Sequence, residues 1–378
     1  MPALPITDPG PSEAILDGLR AWVECEAPTD DPARINALID RVEAPLRQAG
    51  AAVTRIPGRD GYGDCLRARI GPAEGKGILI AGHLDTVWPA GTLARMPFRV
   101  EGERAHGPGI YDMKAGSFLA WHAMLAILRQ RTPTRLPTTL LLTPDEEVGS
   151  PTSRRLIEEE ARQAAYVLIP EPAGPEGSVV TARKGVGRFE LLVRGVASHA
   201  GGDFEHGASA AVELARQILD LHAMVDLERG VTVNVAPMTA GTRPNVIAAE
   251  ARAEIDLRVR TIADGQRLVS TILGLRAHDP RCTVVVRGGL NRPPFPETGA
   301  TLALYAKAKG IAEALGMPLP KQSRGGGSDG NFTADLGVAT LDGLGCPGAG
   351  AHADHEHILW PALAPRCRLL LGLMETLH

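Results

Sequence analysis

No run of about 18 consecutive apolar residues occurs in this 378-residue chain, so a membrane-spanning helix is not expected. Basic residues are not in excess either: 40 Lys plus Arg stand against 44 Asp plus Glu, a formal charge of −4. Without a basic footprint there is little to release counterions from a phosphate backbone, so the expected partner is a small molecule and not nucleic acid. Cysteine is scarce. Cys25, Cys65, Cys282, Cys346 and Cys367 are odd in number, widely spaced and form no CxxC pair, which excludes a disulfide framework and a thiolate zinc knuckle and leaves reduced core residues. The first twenty residues, MPALPITDPGPSEAILDGLR, lack the basic segment and apolar stretch of a secretory signal, so the cytoplasm is the expected location.

What is present is a globular composition, 44% hydrophobic and 22% charged. The length exceeds the roughly 250–300 residues at which single cores stop growing, so two domains are expected. Helical periodicity runs through 12–24 and 33–50, the second stretch closed by Gly50 as a C-cap. GILIAGHLD (77–85), TTLLLTPDEE (138–147) and YVLIPEP (166–172) are continuous apolar runs, as strands buried on both faces require. Helical stretches at 113–131 and 150–164 separate them, the latter starting at Ser150 and Pro151. Alternation of this kind implies right-handed crossovers and an α/β fold with a doubly wound sheet.

After about residue 182 the texture changes. GRFELLVRGVAS, GVTVNVAPMTA and AEARAEIDLRVRT alternate polar with apolar residues, the pattern of half-exposed antiparallel strands. Glu254, Asp256, Arg258 and Arg260 share one face while Ile255, Leu257 and Val259 share the other, and helices near 207–225 and 264–277 cover the packed side. A helix at 300–315, a Gly-rich loop at 325–330, a strand at VATLDGL and a helix at 361–377 resume the first pattern. The expected boundaries are 1–182 and 293–378 for a catalytic domain, with an α+β domain at 183–292 inserted into it.

Each buried run ends in ligand-type residues: His83 and Asp85, then Asp145, Glu146 and Glu147, then Glu171. Open α/β sheets build their sites outside the carboxyl ends of the strands, so these groups should converge. Four or five carboxylates repel one another unless cations neutralise them. Imidazole and carboxylate without thiolate suits zinc, cobalt or manganese, and two metals sharing a bridging acid need about two histidines and three acids. Asp112, in GPGIYDMKAG, and His352, in GAGAHADHEH, are the natural additions.

In GHLDTV (82–87), GPGIYDMKAG (107–116), PDEEVGS (144–150), EP (171–172), GVASHAG (195–201), RPNVIA (243–248), DLR (256–258), GGGSDGNF (325–332) and the His352 segment, the chain resembles the co-catalytic zinc hydrolases. That family includes glutamate carboxypeptidase, acetylornithine deacetylase, succinyl-diaminopimelate desuccinylase, peptidase T and aminoacylase. The resemblance spans nearly the whole chain in family order. It implies a mixed-sheet metallohydrolase domain with an inserted lid and dimerisation domain. It also implies two divalent ions per subunit, zinc with cobalt or manganese as alternatives. His83, Asp112 and Glu171 would hold one; Asp112, Glu147 and His352 the other. Asp85 would orient His83, and Glu146 would act as general base and then general acid. His199, in the SHAG motif, would enter a partner's active site to stabilise an oxyanion. Asn245 and Arg258 match positions that meet a substrate carboxylate, and Gly326 and Gly327 allow close backbone approach. Lys184, in ARKG, matches a recurrent feature at the start of the inserted domain. The implied activity is amide hydrolysis on a small peptide or N-acyl amino acid with a free carboxylate. It is most like a glutamate carboxypeptidase, with deacylases of the acetylornithine deacetylase and desuccinylase type as the alternative. Glu at position 171 leans towards the former.

Two rival readings are weaker. GGSDG (326–330) formally matches a GxSxG nucleophile elbow with Ser328 as nucleophile and Asp354 and His357 downstream, but the preceding LPKQSRG is too polar for a buried strand. The loop also lacks the GK[ST] ending of a phosphate-binding loop. A member of the fold that only binds or dimerises would have lost a ligand or the base, and all are present.

Overall fold

GILIAGH forms the strand Gly77–His83, and every residue of it is buried. The reason is visible in the computed structural model, which describes residues 6–378. Side chains alternate across a strand, so the run feeds two cores at once. Ile78 and Ile80 pack into the larger core, built from the helices Ser12–Val23, Pro32–Ala49, Ala115–Gln130 and Leu363–Thr376, while Leu79 and Ala81 join Ile157, Ala161 and Phe332 on the opposite face. The strand Thr138–Thr143 divides in the same way, with Leu140 and Leu142 on one side and Leu141 on the other.

These strands sit in a six-stranded sheet whose order is Ala52–Ile56, Cys65–Ile70, Thr138–Thr143, Gly77–His83, Ala164–Leu168 and Ala339–Leu341. The last four run parallel and Cys65–Ile70 pairs antiparallel with both of its neighbours, so the sheet is mixed. In register, His83 lies opposite Thr143 and Ile80 opposite Leu168. The carboxyl ends of three parallel strands are thereby aligned. Asp31 caps the helix Pro32–Ala49 by accepting the Arg34 N–H at 3.2 Å, and Gly50 closes it at φ 97°, a conformation that needs no Cβ.

The chain divides into two units, one of Met1–Ala182, Glu297–Ser323 and Ser328–His378, the other of Arg183–Pro296 and Arg324–Gly327. The second holds an antiparallel sheet in the order Thr232–Ala240, Glu250–Val259, Gly185–Arg194, Thr283–Arg292. Ile255, Leu257 and Val259 pack under the helices Ala210–His222 and Ile262–Leu273, and Glu254, Asp256 and Arg258 face away from that core. Residues 293–296 and 324–327 belong here and not to the resumed first domain. The cause is local: Arg183 pairs by backbone with Phe295, and its guanidinium donates to the carbonyls of Gly326 and Gly327.

One local expectation needs correction, and one strand lies outside those that the alternation picks out. The helix expected from Ser150 begins at Arg154, because Ser150 is left-handed at φ 57° and the buried carboxylate of Asp145 holds the N–H and hydroxyl groups of Thr152 and Ser153 in a turn before it. The strand Thr283–Arg292 escapes the alternation pattern because Gly288 and Gly289 interrupt it; a Cβ on Gly288 would lie 2.2 Å from the Arg188 carbonyl oxygen. All five cysteines are free thiols, four of them buried.

Gly116 shows how tightly the helix Ala115–Gln130 docks against the segment leading to Glu171. A Cβ there would sit 1.7 Å from the Pro170 carbonyl oxygen. Gly116→Ala is expected to cost about 1–3 kcal/mol in urea unfolding, the usual penalty of overpacking. Gly310→Ala, where a Cβ meets nothing within 4 Å in the helix Gly299–Ala314, is expected to stabilise by up to about 1 kcal/mol.

Candidate metal centre

His83 ends its strand with the ring fully buried. Its Nδ1 lies 2.9 Å from the backbone carbonyl of Asp85 and 3.3 Å from that residue's Oδ1, so Nδ1 carries a proton, and in the neutral ring the lone pair is on Nε2. Nε2 has no hydrogen-bond partner. It points between acids, 3.4 Å from Asp112 Oδ1 and 3.8 Å from Glu171 Oε1. On the other side of Asp112, His352 Nε2 lies 3.4 Å from Oδ2 and 3.2 Å from Glu147 Oε2. Glu147 Oε1 is also buried without a hydrogen-bond partner. Asp112 therefore presents one oxygen to each imidazole. The peptide joining it to Met113 is cis.

Asp85 is buried and spends its carboxylate mainly on the neighbouring loops. It accepts the N–H groups of Glu146 and Glu147 at 3.2 Å each and the Thr29 hydroxyl at 2.8 Å. The contact that orients His83 comes chiefly from the Asp85 backbone carbonyl, a finer division of labour than the sequence suggests. Glu146 is adjacent to Glu147, and its carboxylate comes within 4.8 Å of ligand atoms on both His83 and Glu171.

The charges explain the protonation pattern. Burial alone would lower His83, but the carboxylates of Asp112 and Asp85 outweigh it and hold the ring well above 6.5. Asp112 and Glu147 together hold His352 up at about 10. Burial would raise Asp112, yet the two imidazoles bring its carboxyl well below the ordinary range. The cluster demands positive charge on both sides of Asp112.

Cations fit that demand. Metal–ligand distances of about 2.0–2.2 Å in a tetrahedron put neighbouring ligand atoms about 3.3–3.6 Å apart, close to the four separations of 3.2–3.8 Å found here. The unpartnered Nε2 of His83 and Oε1 of Glu147 are the lone pairs such ions would use. His352 sits at φ 62°, a left-handed conformation uncommon for a residue with a Cβ and typical of functional turns.

A sequence model of peptidase family M20/M25/M40 matches residues 79–376. The chain belongs to this family. It is an M20 metallopeptidase, and the family is metal-dependent. Carboxypeptidase G2 of Pseudomonas sp. (strain RS-16) is 34% identical over 95% of this chain and 89% of its own length. Succinyl-diaminopimelate desuccinylase of Verminephrobacter eiseniae is 30% identical over 75% of this chain and 74% of its own. In fold the M20 chain is similar to a Staphylococcus aureus tripeptidase, with a TM-score of 0.78 at 18% identity over 96% and 98% of the two chains. A dinuclear metal-binding M20 peptidase of Bacillus subtilis superposes at 0.68 with 14% identity over 97% and 99%.

The other expected site residues lie in the second unit. Ala200 N donates to the Asn245 carbonyl at 3.0 Å and His199 bridges Val246, so the His199 and Asn245 segments adjoin. Arg258 is held bidentately by Asp256 at 2.7 and 2.8 Å. Gly327 lies where a Cβ would come within 2.7 Å of Arg292 Cδ. The nucleophile-elbow reading of Ser328 ends here: the residue is fully buried, its hydroxyl donates to Asp342 Oδ2 at 2.6 Å, and a polar strand, Lys321–Arg324, precedes it.

Two buried groups were passed over. Glu356, in HADHEH, accepts four N–H donors, and burial pushes its carboxyl up to about 7 against them. Lys114, in GPGIYDMKAG, is buried with Nζ on the Cys25 carbonyl at 2.9 Å, and burial brings its amine down to about 8. Only their position inside metal-ligand motifs could have flagged them.

Asp85→Ala removes the acceptor shared by Glu146, Glu147 and Thr29. Metal affinity is expected to fall about 10–100-fold, as for other residues that orient ligands, with circular dichroism unchanged. Competition against a chromophoric chelator measures it; parent affinity in the variant would leave Asp85 without an orienting role.

Proposed function

We propose that this M20 enzyme is a dinuclear amidohydrolase that releases an amino acid bearing a free carboxylate from a small peptide or N-acyl conjugate, most like a glutamate carboxypeptidase. The observation that carries this reading is Asp112 between two imidazoles, 3.4 Å from each. His83, Asp112 and Glu171 would hold one ion; Asp112, Glu147 and His352 the other. Mixed nitrogen and oxygen ligands favour zinc, with cobalt or manganese able to replace it. The Bacillus subtilis relative, described as dinuclear metal-binding, supports a pair of ions.

When bound, the ions supply a water of lowered pKa and polarise the scissile carbonyl. The chain's own residues then handle protons and charge. Glu146 takes the proton of the attacking water and returns it to the leaving amine. Proximity to His83 and Glu171 alone would equally let Glu146 serve as a ligand; Glu147 is the member of the pair that faces His352, which leaves Glu146 for proton transfer. His199 is assigned to the oxyanion, acting from a second copy of the chain. Its Nδ1 accepts the N–H groups of Gly201 at 3.1 Å and Gly202 at 3.0 Å, which places the ring proton on Nε2 as a donor. Asn245 and Arg258 are assigned to the substrate carboxylate, for which the planar guanidinium fork of Arg258 is suited, and Gly326 and Gly327 to close backbone approach to the substrate. That carboxylate must compete with Asp256 for it.

A homodimer through the second unit is part of the proposal. Val212 and Leu219 lie exposed on the helix Ala210–His222, and Met238 lies exposed on the strand Thr232–Ala240 at the edge of its sheet. An apolar face beside an open edge suits a second copy. No helix among the described residues is long and apolar enough to cross a membrane, and cytoplasmic placement completes the reading.

The desuccinylase relatives support a second reading, deacylation of an N-succinyl amino acid. One experiment addresses mechanism and substrate together. The parent enzyme, Glu146→Gln and Glu147→Gln are assayed on peptidyl- and N-acyl-glutamate and on N-succinyl-diaminopimelate, with metal content measured in each. Glu146→Gln is expected to lose roughly 100–10,000-fold in turnover with metals retained, and Glu147→Gln to lose an ion. Glutamate release by the parent supports the carboxypeptidase reading. Turnover of the succinyl substrate alone favours the second, and reversed variant phenotypes would exchange the roles of the adjacent acids.

A further inference from the structure

The loops that present the metal ligands meet at a side chain to which the reaction gives no part. Glu356 is fully buried. Its Oε2 accepts the Trp88 indole N–H at 2.7 Å and the Gly109 N–H at 2.9 Å; its Oε1 accepts the N–H groups of Tyr111 at 2.9 Å and Asp112 at 3.0 Å. Four donors fill the acceptor sites of a carboxylate. Three of them belong to the segment that ends in Asp112, and the fourth sits three residues beyond Asp85. Glu356 also closes the turn that carries His352: its own N–H donates to the Ala353 carbonyl and the Ala353 N–H to the Gly350 carbonyl, both at 2.9 Å. Gly350, at φ 81°, leaves no room for a Cβ, which would meet Glu356 N at 2.9 Å.

We propose that Glu356 is a positioning residue for the metal centre, a buried carboxylate that fixes the Asp112 segment against the His352 turn and so sets the spacing of a shared and a terminal ligand. The inference rests on the ligand set assigned above. Packing alone does not account for the residue, since a buried carboxylate is costly and is retained only where its acceptors are filled. Nor is the requirement one of shape. A glutamine amide keeps the outline but has one oxygen and one NH2, so in either orientation its N–H groups face two N–H donors. Glu356→Gln is therefore predicted to behave as a severe substitution, while Glu356→Asp keeps all four acceptor sites on an arm one methylene shorter.

The test is metal affinity, not turnover. Metal-free parent, Glu356→Gln and Glu356→Asp are titrated with zinc against a chromophoric chelator, with circular dichroism and the thermal midpoint of each metal-free protein recorded alongside. The expected result is a loss of about 10–100-fold in zinc affinity for Glu356→Gln and a smaller loss for Glu356→Asp, both with a native far-ultraviolet spectrum. A lowered thermal midpoint with parent zinc affinity would make Glu356 a merely structural residue and overturn the proposal. Should Glu356→Gln not fold, parent affinity in Glu356→Asp overturns it equally. Failure of the parent itself to bind zinc would overturn the ligand assignment and this inference with it, an outcome distinct from failure of the variants alone.

Discussion

Five carboxylates, those of Asp85, Asp112, Glu146, Glu147 and Glu171, are brought to the carboxyl end of the parallel strands of the mixed sheet, and the rest of the site follows from the need to neutralise them. Two like unit charges 4 Å apart repel by about 4 kcal/mol at an effective dielectric of about 20. Lone imidazoles answer part of this, which is why His83 and His352 are held so far above their ordinary values. A divalent ion at each imidazole would answer it more fully, displacing the proton of His83 Nε2 and using Glu147 Oε1, two atoms without a hydrogen-bond partner. The sheet makes the convergence unavoidable: with His83 opposite Thr143 and Ile80 opposite Leu168, the residues that follow the three strands have one crevice to enter.

The cost of assembling such a site is spread over the loops. Asp85 does not simply back up His83; it collects the amides of the two adjacent glutamates and so decides how the Glu146–Glu147 turn is presented. Glu356 likewise collects the amides of Gly109, Tyr111 and Asp112. Each is a buried acid satisfied mainly by N–H donors, and each is proposed to act on assigned metal ligands that it does not itself join.

Much of this was legible in the sequence because buried parallel strands are written as unbroken apolar runs. GILIAGH, TTLLLT and the segment before Glu171 could be placed without knowing their neighbours, and the ligand-type residues followed at their ends. What escaped depends on backbone partners that no side-chain pattern records. Glu356 looks like one charge in the polar string HADHEH, because three of its four donors are main-chain amides some 245 residues away. Arg258 reads as a free cation on a wet face, yet Asp256 two residues earlier occupies its fork. The start of the helix at Arg154 was hidden for a similar reason, since Asp145 captures the residues that would have begun it.

Asp112 is proposed to serve two cations at once, one through each oxygen. The direct measurement is the number of zinc ions retained per chain after dialysis, for the parent and for Asp112→Asn, both confirmed as folded. Two ions are expected in the parent and loss of both in the variant, because the substitution removes the charge and one of the two oxygen ligands from a shared group. A parent that holds a single ion, or a variant that still holds one as tightly as before, would contradict it.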